Sequence, residues 1–216
     1  QYHPQLLASL DGDRNHELVR YTVEARSQTL LKAKGRTDIL VVFLHGRGAN
    51  DQSYLTANFV KELKRDEHKS VSVLFPDSSD HSYWHNREAY DWSDYLNVLA
   101  VNRALARLNI GDTPKIIIAG ISMGGYGALL NAELQPQEYC GVVVHSPALW
   151  PDYSGAAAGA FDDSSDFEAG NVFSKAEKLK GKYISIDIGS ADSLQSGTKH
   201  FGDRLVSSGV PAYLRT

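Results

Sequence analysis

Ile116-Ile117-Ile118-Ala119-Gly120-Ile121-Ser122-Met123-Gly124-Gly125-Tyr126-Gly127-Ala128 is the stretch whose reading decides the fold. A run of β-branched apolar residues passes through Gly-x-Ser-x-Gly-Gly into a segment with helical character. The spacing predicts a helix over 123–135, stopped before Pro136. A strand that turns this tightly into a helix needs small residues on both sides of the serine, which accounts for Gly120 and Gly124. Such a turn carries the Ser122 hydroxyl to the mouth of a sheet. It also leaves the Met123 N–H at the positive end of a helix, free to donate to an oxyanion. The bland alternative is a glycine-rich turn with an inert serine.

Outward from this turn the chain alternates. Residues 39–44, 71–75, 116–119, 141–144 and 183–188 are short apolar runs bounded by Gly, Pro or Asp, which is the pattern of strands buried on both faces. Leu55, Phe59 and Leu63 predict a helix over 52–66, with its charges on a solvated face. Val98, Val101, Leu105 and Leu108 predict another, ended by Gly111 and Pro114, and a weaker one spans 198–208. Tyr90, Trp92 and Tyr95 are expected to pack against the helix that follows them. Strands alternating with helices predict an α/β fold with a mostly parallel central sheet and helices on both faces. Residues 151–170, rich in glycine, alanine and aspartate, are expected to be a long surface excursion near the strand ends.

Composition narrows the function classes. The chain has 216 residues, 42% of them hydrophobic and 22% charged, as expected of one globular domain over 1–216. Its single cysteine, Cys140, excludes an internal disulfide framework and a multi-cysteine zinc site. A net charge of −4 gives no basic field for nucleic acid. No apolar run approaches the roughly 18 residues a membrane helix needs. Gln1-Tyr2-His3-Pro4 shows no basic-then-apolar leader pattern.

Further site residues follow from position. Leu44-His45-Gly46-Arg47-Gly48 ends an early strand, and its glycines admit a substrate to the backbone, so the Arg47 N–H is the expected second oxyanion donor. His45 is read as a structural histidine at a strand end. Asp192, in the loop directly after the fifth run, is the expected acid that orients a histidine, and Asp187, inside the strand, is its rival. Asp77, Asp80, His81 and His85 would suit zinc if helical, but Pro76 and Ser78-Ser79 favour a loop, so no metal is expected. That loop is expected to cover a pocket, with Trp84, His85 and Trp150 as its aromatic and polar walls.

Together, 44–48, Ser82-Tyr83-Trp84-His85-Asn86-Arg87, 120–125, His145-Ser146-Pro147-Ala148-Leu149-Trp150 and the stretch from Gly155 to Phe167, centred on Gly159-Ala160-Phe161-Asp162-Asp163, resemble the "Putative esterase" (esterase D-like) family of α/β-hydrolases. Feruloyl and acetyl esterases and mycolyltransferases are related to it. The resemblance runs from about Leu18 to the end of the chain. It implies a serine carboxylic-ester hydrolase that needs no cofactor, acting on a small or aryl- or sugar-linked ester through an acyl-enzyme. Ser122 would be the nucleophile, Asp192 the triad acid, and Met123 and Arg47 the oxyanion amides. It leans towards a secreted bacterial protein and says nothing of oligomeric state.

Two departures from the family pattern stand out. The interval between Tyr21-Thr22-Val23 and Ile39 is short for the edge hairpin usually found there. The family's histidine follows the last strand in a Gly-Gly-His segment, whereas residues 210–215 are here followed only by Thr216, so that segment is expected to lie beyond the chain given. His200 is the alternative base. Three other functions share these features: acyl transfer to a sugar hydroxyl, a serine peptidase of the prolyl-oligopeptidase type (which would bring a large extra domain), and a binding remnant without its base.

Overall fold

The computed structural model describes residues 13–216, apart from the side chain of Asp112. The reading made of Gln1 to Pro4 lies outside them. Among the described residues eight strands form one sheet: β1 (His16–Val23), β2 (Arg26–Ala33), β3 (Thr37–Leu44), β4 (Val71–Pro76), β5 (Ile110–Ile121), β6 (Gly141–His145), β7 (Tyr183–Asp187) and β8 (Tyr213–Arg215). Their order across the sheet is β1-β2-β4-β3-β5-β6-β7-β8. Only the β1–β2 and β2–β4 pairs are antiparallel. From β4 to β8 the sheet is parallel, as continuous apolar runs joined by helical crossovers require.

Among the described residues five helices accompany the sheet: α1 (Ala57–Leu63), α2 (residues 92–105), α3 (Met123–Leu134), α4 (Ser164–Ala169) and α5 (Gln195–Ser207). Leu40, Val42, Leu44, Ile118, Val142, Val144, Ile184 and Ile186 are buried in the main core, together with Leu96, Ala104, Leu129 and Phe201 from the helices. A smaller cluster of Leu31, Val73 and Phe75 packs against Leu55 and Leu63 beside α1. Residues Met123 through Glu133 of α3 are all buried. A helix apolar nearly all round belongs inside a protein. No helix among the described residues is long and apolar enough to cross a membrane.

The structure corrects one expectation and sharpens two others. The edge hairpin is present: β1 and β2 pair over their full lengths, joined by Glu24 and Ala25 alone. Both residues have positive φ, 47° and 63°, the geometry of the tightest hairpin loops, and this compactness explains the short interval. The α2 helix shows a different face from the one expected. Its middle, Tyr95–Ala100, is π-helical, and the extra residue per turn rotates the pattern. Val98 is therefore 58% exposed, while Leu96, Ala100, Val101 and Ala104 point inward. The 151–170 excursion is partly regular, with a 3₁₀ turn at Tyr153–Gly155 and the helix α4.

That excursion is held down from the side facing the sheet ends. The Arg87 guanidinium donates to the Asp162 carboxylate and to the carbonyls of Gly159 and His81. His85 bonds Asp166 at 3.0 Å, and the Tyr126 hydroxyl donates to the Gly170 carbonyl at 2.8 Å. Residues 81–87 and 151–170 therefore form one packed roof.

Candidate active site

The carboxyl ends of β3, β5, β6 and β7 meet beneath this roof, the usual position for a ligand site in a parallel sheet. Ser122 lies between β5 and α3 with φ 53° and ψ −117°. A side chain other than glycine's pays about 1–3 kcal/mol for such a conformation, so the surroundings must impose it. They do so through hydrogen bonds. The Ser122 N–H donates to the His145 carbonyl, and the Ser122 carbonyl accepts from the N–H groups of Tyr126 and Ala148, each at 3.0 Å.

Glycine is required on both sides. A Cβ on Gly120 would lie 2.3 Å from the Gly124 carbonyl oxygen, and one on Gly124 would lie 2.1 Å from that of Leu44. The β5–α3 turn is thus wedged against the end of β3. Met123 occupies the first position of α3, where a helix N–H has no partner inside the helix. Gly46 approaches from the other side. A Cβ there would stand 3.4 Å from the Ser122 Cβ and 3.3 Å from the Tyr54 hydroxyl. The next residue, Arg47, is exposed, and among the described residues nothing in the protein accepts its N–H. The loop is braced by Gly48, whose φ is 74° and whose N–H donates to the Asp80 carboxylate.

The two aspartates after β6 have different partners. Asp187, at the end of β7, bonds the imidazole Nδ1 of His145 at 2.7 Å, and Arg215 approaches its other oxygen at 3.4 Å. His145 and Asp187 are direct neighbours in the β6–β7 register. Asp192 sits in the following turn, where its carboxylate accepts the Leu194 N–H at 2.8 Å and its N–H donates to the Gly189 carbonyl. His200 is exposed on α5. Among the described residues neither His200 nor His145 is bonded to Asp192.

Of the three expected pocket walls, only Trp150 keeps part of its surface open. Trp84 is 0% exposed. Its ring lies edge-on to His45, and its indole N–H donates to the His45 carbonyl at 3.1 Å, so it underpins the loop ahead of Arg47 rather than facing solvent. His85 is 3% exposed, between Tyr126 and Phe161. Burial lowers the His85 pKa, against the opposing pull of Asp166, to whose carboxylate its Nε2 is bonded. A wall residue that no motif signalled is Tyr54, half-buried beside Gly46; Tyr83 is 3% exposed and packs against Trp150. The Tyr83 ring lies 6.0 Å from that of Trp150. Burial raises the Tyr83 pKa, and the nearby Arg47 guanidinium opposes that rise.

His45 is held structurally, with Nδ1 bonded to its neighbour's carbonyl and Nε2 to the Ser78 amide and hydroxyl. The set Asp77, Asp80, His81 and His85 is not gathered. Asp77 faces His45, Asp80 holds Gly48, and His85 turns inward to Asp166.

Comparison with known proteins agrees with this architecture. The family model described as "Putative esterase" matches residues 28–201. A ferulic acid esterase superposes with a TM-score of 0.77 at 17% identity, covering 93% of this chain and 89% of the other. The Staphylococcus aureus fluorophosphonate-binding serine hydrolase FphF gives 0.74 at 19% identity, with 92% and 88% covered. Mycobacterium tuberculosis MPT51 gives 0.71 at 15% identity, with 93% and 88% covered. At these identities the likeness is one of fold. No curated protein sequence matches significantly. With the family model spanning most of the chain, this protein belongs to the "Putative esterase" family and is a carboxylic-ester hydrolase on the α/β-hydrolase fold.

Proposed function

We propose that Ser122 is the nucleophile of a two-step ester hydrolysis through an acyl-enzyme. The observation that carries this reading is the backbone of Ser122. Its strained φ and ψ are enforced by glycines that tolerate no Cβ, and they aim one hydroxyl out of a strand-to-helix turn. Strain of this kind clusters at functional sites, which supports a catalytic role for the serine. Ser122 Oγ attacks the ester carbonyl while a histidine takes its proton. The carbonyl oxygen becomes an oxyanion and accepts from the N–H groups of Met123 and Arg47, fixed before the reaction begins. The histidine returns the proton to the leaving alcohol, the tetrahedral centre collapses to the acyl-serine, and water repeats the sequence to release the acid. Asp192 is the carboxylate that orients the imidazole and supports its charged form.

The half-buried Tyr54 and Trp150 give the mouth an aromatic rim, which suits a small, aryl-linked or sugar-linked ester. Hydrolysis of p-nitrophenyl butyrate by the wild type beside Ser122→Ala tests the reading. Turnover by the wild type at least roughly a hundredfold above the variant is expected. Equal rates in two folded proteins would mean that these 216 residues supply Ser122 with no working base.

A further inference from the structure

We infer that the Arg47 side chain is an anion-recognising element of this site, selecting esters that carry a carboxylate or similar negative group a few atoms from the scissile bond. The inference rests on the proposed site and adds a substrate class to it. Gly46 stands beside Ser122, and Arg47 is the next residue, exposed at the mouth. The residue assigned the oxyanion N–H thus also carries an exposed guanidinium side chain beside the Tyr83 phenol.

The neighbourhood leaves that cation available. The other arginine of the rim, Arg87, is consumed by Asp162 and two backbone carbonyls. Arg47 has no carboxylate within ion-pair distance among the described residues. Asp80, which braces the same loop, is engaged by the Gly48 N–H and faces His81. What Arg47 does approach is the Tyr83 phenol, a neutral group. Tyr83 is itself fixed: 3% exposed, at φ 44°, between Tyr126, Trp150 and Phe161. A guanidinium steadied by a rigid neutral partner keeps its charge unspent and loses less freedom when it pairs. These are the conditions under which a planar two-pronged contact to a carboxylate adds affinity.

Binding to the Ser122→Ala protein, where turnover does not intervene, tests this. Three esters serve as probes at low ionic strength: p-nitrophenyl butyrate (neutral), p-nitrophenyl hemisuccinate (anion in the acyl half) and 4-carboxyphenyl butyrate (anion in the alcohol half). At least one anionic ester is expected to bind roughly tenfold more tightly than the neutral one, with the advantage shrinking in salt. The anionic-to-neutral ratio should fall to near one in Ser122→Ala/Arg47→Gln and be largely restored by Arg47→Lys. Whichever anionic ester gains locates the charge in the acyl or the alcohol half. Equal binding of all three esters, absence of binding, or a ratio that Arg47→Gln leaves in place would overturn the inference. Failure of the underlying site would show separately, as loss of the serine dependence of hydrolysis in otherwise wild-type protein.

Discussion

Replacing Glu133 with glutamine removes a proton-binding group from the last turn of α3. Glu133 is 0% exposed, and neither carboxylate oxygen has a hydrogen-bond partner. Burial raises its pKa to about 9, against Lys175 and Lys178, which lower it, and with Glu177, which adds to the rise. In the unfolded chain the same group titrates near 4.3. The sign of the pH dependence follows. Below about pH 4 both states hold the proton, and the group contributes nothing to pH dependence. Above that, the unfolded chain ionises while the folded protein keeps its proton, so stability falls by about 1.4 kcal/mol per pH unit until the folded pKa is reached.

Between pH 5 and pH 8 that slope amounts to at most about 4 kcal/mol, a large share of a typical domain's stability. Glutamine keeps the shape and the buried polar atoms but cannot titrate. Urea unfolding of both proteins, followed by circular dichroism at pH 5, 6.5 and 8, gives the comparison. The advantage of Glu133→Gln should grow by a few kcal/mol across that range, with m unchanged. Parallel pH dependences for the two proteins would refute the assignment of a neutral, buried Glu133.

Two other perturbations follow from the geometry. Gly124→Ala places a methyl group 2.1 Å from the Leu44 carbonyl oxygen and should cost upwards of about 3 kcal/mol, read as a lowered melting temperature; a loss within experimental error would show that the turn is not wedged against β3. Arg87→Gln cuts the ties to Asp162 and to the Gly159 carbonyl. Amide hydrogen exchange in residues 159–169 should speed up roughly tenfold while α3 stays protected, and unchanged exchange there would mean that other contacts hold the roof.

The parallel centre of the sheet was legible because strands buried on both faces must be apolar along their length, as residues 39–44, 141–144 and 183–188 are. The glycine pattern around Ser122 was legible because sterics alone dictate it. Elsewhere the deciding contacts join residues far apart in sequence. Nothing local in Trp84 distinguishes a pocket wall from a side chain buried beneath His45. Asp187 meets His145 only because β6 and β7 pair in one register. The Glu24–Ala25 turn lacks the Asn-Gly signature of its type, so the hairpin was hidden, and the π-helical stretch of α2 moved Val98 outward against its periodicity. Tyr54 reaches the Ser122 turn through the path of the loop before α1, which no motif announces.

Treatment of the 216-residue chain with a fluorophosphonate, followed by mass spectrometry of the intact protein and its peptides, tests the central claim most directly. One adduct, mapped to Ser122 and absent from Ser122→Ala, is the expected result. An unmodified Ser122 in folded protein, or an adduct on another residue that survives Ser122→Ala, would contradict it.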